Sequence, residues 1–138
     1  MTQTSWEILK KRSENYQSVC MTALATGNPE LLQNALENMH FALELSMKAV
    51  VAKNGGSYPG YGRRGHDLEG LVVHKFGMPV TSILAMAKLQ NATELFNVGL
   101  SAWSMDCRYI QLENLEDMRA SINDYKELYK WISENLLK

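Results

Sequence analysis

Phe41-Ala42-Leu43-Glu44-Leu45-Ser46-Met47-Lys48-Ala49-Val50-Val51 is the stretch on which the fold turns. With Leu32, Leu36 and Met39 ahead of it, Leu43, Met47 and Val50 continue one stripe at three- and four-residue steps. That is the period of a helix with a buried face. The helix is expected to end near Lys53, where Asn54-Gly55-Gly56 releases the backbone. Residues 54–65 hold five of the nine glycines and one of the three prolines, so composition makes this segment a loop. The loop leads directly into His66-Asp67-Leu68-Glu69-Gly70-Leu71. A packed helix, a cationic loop and a His-Asp pair at a helix start therefore lie next to one another.

The same periodicity extends outward in both directions. Trp6, Leu9, Tyr16, Cys20 and Ala23 mark a first helix, with Ser13 filling the gap in the stripe. Thr26-Gly27-Asn28-Pro29 ends it: glycine suits the C-terminal cap, Asn28 can cap the next helix, and proline suits its first position. Downstream, Asp67 can cap a short helix carrying Leu68, Leu71, Val72 and Phe76, and Gly77-Met78-Pro79 breaks it. Val80, Leu84, Ala87, Leu95 and Val98 mark a fourth helix. Residues 101–112 form a connection. The last helix carries Leu115, Met118, Ile122, Tyr125, Tyr129, Ile132 and Leu136, with its charged residues off that stripe and Lys138 at its end.

Val50-Val51 and Leu71-Val72-Val73 are too short for strands and sit within helical periodicity. The fold class read from this pattern is all-α: an antiparallel bundle of about five helices in a single domain, residues 1–138. The stripes of the second and last helices carry more apolar residues than a narrow bundle covers. A symmetric homodimer is therefore expected.

Composition narrows the function. Apolar residues make up 46% and charged residues 21%, ordinary for a globular domain. The formal net charge of −1 gives no overall attraction for nucleic acid, so an anion site must be a local patch. No apolar run reaches the ~18 residues of a membrane span. The N-terminal Met1-Thr2-Gln3-Thr4-Ser5-Trp6-Glu7 lacks the basic start and apolar core of a signal peptide. A cytoplasmic protein with no membrane contact is expected. Cys20 and Cys107 match no metal pattern and read as buried thiols. His40, His66 and His74 are not spaced as a ligand set, so neither a metal nor another cofactor is expected.

The best ligand-binding candidate is the loop. Its glycines expose backbone N–H groups, Arg63 and Arg64 can fork onto phosphates, and Tyr58 and Tyr61 can stack on bases. The opposing reading is a connector with two solvated arginines. His66 can titrate near neutral pH and join such a site, or it can fix the loop exit beside a capping Asp67. Glu44 and Lys48, four apart, read as a surface or half-buried ion pair of roughly 0.2–0.5 kcal/mol. The functional alternative is that Lys48 faces the loop and holds an anion. Arg108-Tyr109 can bind a ligand or anchor the connection before the last helix.

In order and spacing these motifs resemble the HEPN family (higher-eukaryote and prokaryote nucleotide-binding domains). The family's second helix carries a pattern close to Q-A-A-E-K-A-L-K-A, matched here at Ala42, Glu44, Lys48 and Ala49, with Met47 replacing leucine. Gly65-His66-Asp67-Leu68-Glu69-Gly70-Leu71 is similar to the family's T-H-D-L-x-x-L helix start. Arg108-Tyr109 stands where many members carry an Arg-Tyr pair. The resemblance spans residues 41–109 and implies a helical bundle. It also implies a neighbourhood of functions: toxin or defence ribonucleases, and small partner subunits of a nucleotidyltransferase. Active ribonucleases of the family carry Arg-x4–6-His. Here Arg108 has no histidine at that spacing, and Arg63 and Arg64 stand too close to His66. No catalytic residue is carried over. The function read from the sequence is a non-catalytic module acting on RNA, a nucleotide or a partner protein. The alternatives are a ribonuclease with a displaced set (His66 with Arg63, Arg64 or Arg108) and a structural partner of a nucleotidyltransferase.

Overall fold

The computed structural model describes residues 5–56 and 115–138. They form three long helices: α1 (Trp6–Ala25), α2 (Leu32–Lys53) and α3 (Leu115–Asn135), with a single 3-10 turn, Pro29–Leu31, leading into α2. Among the described residues there is no strand. The third and fourth helices expected from the sequence lie outside the described residues.

The joint between α1 and α2 follows from its residues. Gly27 takes φ +68, a left-handed conformation that costs a residue with a Cβ about 1–2 kcal/mol. Its N–H donates to the Leu24 carbonyl at 3.2 Å, closing the last turn of α1. The Asn28 side chain accepts from the Glu30 N–H at 3.0 Å, and Pro29 occupies the first helical position. Asn28 thus caps a turn of 3-10 helix before the α-helix proper begins. The exit of α2 is equally local: Gly55 takes φ +78 and the Asn54 side chain donates back to the Val50 carbonyl at 2.8 Å.

Burial follows the expected stripe in α2 and part of it in α1, where Trp6, Tyr16 and Ala23 are half-buried. Leu9, Ser13 and Cys20 are buried on α1, and Leu32, Leu36, Met39, Leu43, Met47 and Val50 on α2. In α2, however, every residue from Ala42 to Val51 is buried, so this helix is enclosed on all sides. In α3 the buried set is Met118, Ile122, Tyr125, Leu128 and Ile132, followed by Leu137 beyond the helix. Leu115, Tyr129 and Leu136, expected in the stripe, are only half-buried. For Leu136 the reason lies at the C-terminal end. The helix closes at Asn135, three residues before the Lys138 expected to end it. The N–H groups of Leu136 and Leu137 then both donate to the Ile132 carbonyl, at 2.8 and 3.2 Å, and that wider turn carries Leu137 into the core.

The helix directions can be read from the bundle ends. Lys53, the last residue of α2, places Nζ 5.1 Å from the centroid of the Trp6 ring, the first residue of α1. The same ammonium donates to the main-chain oxygen of Lys138. At the opposite end a cleft of about 160 Å³ is lined by Leu24, Gly27, Pro29, Leu32 and Arg119 of α3. So α1 runs antiparallel to α2, as expected of the bundle, whereas α2 and α3 run parallel. None of the described helices is long and apolar enough to cross a membrane.

Candidate functional site

The polar residues of α2 are the unusual feature of this core. His40, Glu44 and Lys48 follow one another at four-residue intervals, which aligns them along one side of the helix. All three are buried, at 1%, 4% and 5% exposure. Lys48 Nζ donates to Glu44 Oε2 at 3.2 Å. The pair expected from the i, i+4 spacing is formed, but inside the protein rather than on its surface. That changes its energetics. Removing one partner of a buried pair strands the other charge and costs about 3–5 kcal/mol, against tenths for an exposed pair.

Aromatic packing extends this polar side towards the neighbouring helices. The His40 ring meets Tyr125 of α3 edge-on, with centroids 5.8 Å apart and planes at 67°. Phe41 meets Tyr16 of α1 at 5.5 Å and 42°. Such tilted pairs favour opposite edges and faces of the two ring quadrupoles. Ser46 closes its own hydroxyl onto the Leu43 carbonyl at 2.8 Å, so a polar residue is buried in the core without breaking the helix.

Of the sequence-derived site residues, Lys48 alone falls within the described structure. Tyr58, Tyr61, Arg63, Arg64, His66, Arg108 and Tyr109 lie outside the described residues. The charge of Lys48 is met within its own helix by Glu44.

A surface groove, formed by two remote helices, has no local signature in the sequence. It opens between α1 and α3, with a volume of about 480 Å³. Lys10 and Glu14 line one wall, Lys126, Lys130 and Glu134 the other, and Tyr129 and Ser133 also face it. Both signs of charge are present, so the groove has no single-signed field to concentrate a polyanion. The sequence shows two i, i+4 pairs, Lys10/Glu14 and Lys126/Lys130. Their neighbourhood depends on α1 and α3 lying side by side, which no local pattern reports.

Two titrating groups follow their burial. The Cys20 thiol is fully enclosed, and burial pushes it up to about 11 despite the opposing charge of Lys126. It is held as the unreactive thiol at neutral pH. Burial, with the Glu127 carboxylate nearby, also raises Asp124 above the usual aspartate value. Among the described residues no cluster of three or more His, Cys, Asp or Glu is placed to hold a metal ion. Comparison of the chain with protein-family models, curated proteins and solved structures finds no match.

Proposed function

We propose that the chain is a HEPN-like, non-catalytic helical module that binds RNA, a nucleotide or a partner protein, and that it works as a homodimer. The observation that carries this reading is the Glu44–Lys48 pair. Ala42, Glu44, Lys48 and Ala49, which bear the second-helix resemblance, are all buried in α2, and the two charged residues among them bond to each other. This supports a role for the pattern as scaffold, with binding left to the segment that follows it. Arg63, Arg64 and His66, with Tyr58 or Tyr61, are the groups proposed to meet a phosphate-bearing ligand there. The absence of a histidine five to seven residues beyond Arg108 supports binding without cleavage.

The test uses the full chain and single-stranded RNA, read both for binding and for cleavage. Salt-sensitive binding without cleavage above background is expected, weakened by Arg63→Ala with Arg64→Ala at unchanged thermal stability. Cleavage abolished by His66→Ala would replace this reading with a ribonuclease. Unchanged binding in the double variant would remove the loop from the site. Sedimentation at micromolar concentration should give a dimer, and a monomer would contradict the proposed assembly.

A further inference from the structure

We infer that Lys53 is a clasp that joins three helix ends into one opening unit and fixes the end of the α1–α3 groove. The inference rests on the convergence of contacts at one ammonium group. Lys53 ends α2, its Nζ lies 5.1 Å from the centroid of the Trp6 ring at the start of α1, and it donates to the Lys138 main-chain oxygen beyond α3. A cation also suits this place, because the carbonyls of the last turn of α2 leave partial negative charge there.

The element it holds is a short strap. Leu136, Leu137 and Lys138 follow the end of α3, and Leu137 is carried into the core by the turn onto Ile132. Lys138 lines the groove between α1 and α3, while its main-chain oxygen is held by Lys53. The groove's other wall begins at Lys10, one turn beyond Trp6. One side chain thus ties the strap on one wall to the helix start on the other. Losing the ammonium frees both at once, and the groove opens from that end without the bundle unfolding. Helix ends are where such low-energy local openings concentrate.

Backbone N–H groups report on each part. The Leu9 N–H, bonded to the Ser5 carbonyl at 3.1 Å, reports on the start of α1. The Leu136 and Leu137 N–H groups report on the strap, and the Gly27 N–H reports on the opposite end of the bundle. Hydrogen exchange of the full chain, followed by NMR, is the experiment, with Lys53→Met keeping the aliphatic stem and removing the charge. Exchange at Leu9, Leu136 and Leu137 should accelerate together by about tenfold or more, with Gly27 unchanged. Lys53→Arg, which keeps a cation and donors, should restore protection. Acceleration at one end only, equal acceleration at Gly27, or no change would each overturn the clasp. A second variant, Trp6→Leu, leaves Lys53 in place. It should still speed exchange at Leu136 and Leu137, and unchanged strap amides in that variant would overturn the inference as well.

Discussion

Two lysine–glutamate pairs show how differently the same chemistry behaves in two regions of this protein. On α1, Lys11 and Glu14 stand 3.9 Å apart with side chains 73% and 45% exposed. On α2, Lys48 and Glu44 stand 3.2 Å apart with side chains 6% and 5% exposed. Water screens the first pair and competes for its groups, so its geometry has little effect on stability. The second pair has lost that hydration, so its attraction is far less screened. The difference comes from the helices, not the residues. α1 presents one buried side, whereas α2 is enclosed from Ala42 to Val51.

The sharpest way to break this comparison is to remove one buried charge. Lys48→Met should lower unfolding free energy by about 3–5 kcal/mol, measured by urea denaturation. A loss of only a few tenths would place the pair in the same class as Lys11–Glu14. Leu36→Ala removes a fully buried side chain from the same helix without touching charge. It should cost about 2–5 kcal/mol, a range set by how far the cavity relaxes. Gly27→Ala tests a different kind of local requirement. Nothing lies within 4 Å of an added Cβ, so only its φ of +68 opposes the change, and about 1–2 kcal/mol is expected. Glu14→Ala, on the exposed pair, should stay within about 0.5 kcal/mol.

Asp124 offers a pH test of burial on α3. Its carboxyl is raised above the ordinary 3.8, so the native state holds the proton more tightly than the unfolded chain. The charged form therefore opposes folding. Its penalty is present at neutral pH, falls as pH drops through the raised pKa, and is gone below 3.8. Asp124→Asn should raise the thermal midpoint slightly at pH 7, and the gain should shrink on acidification. A gain independent of pH would mean that charge is not the cause.

The parts of the fold that the sequence makes legible are those set by neighbours along the chain. The α2 stripe from Leu32 to Val50, the Gly27–Asn28–Pro29 joint and the stop at Lys53 each follow from local spacing and backbone freedom. What is not legible depends on remote packing. Leu137 enters the core only because α3 closes early and turns onto Ile132. The depth of Glu44 and Lys48 follows from the enclosure of α2, and an enclosed helix no longer shows a polar face by its period. The parallel course of α2 and α3 is seen only where their ends meet in space, at Lys53 and Lys138. The candidate site rests on composition, in the glycines, tyrosines and arginines of residues 55–65, and on a resemblance in order. Among its residues, only Lys48 has a described position, and that position is in the core.

The central claim is that Glu44 and Lys48 form an internal scaffold pair, and a double-mutant cycle tests it most directly. Urea unfolding of the parent, Glu44→Leu, Lys48→Met and the double variant gives the coupling energy between the two side chains. The account predicts that each single change is strongly destabilising and that the double variant loses less than the sum of the two, because the pair is removed together. Two small and additive losses would contradict it, and would return Lys48 to the candidates for holding an external anion.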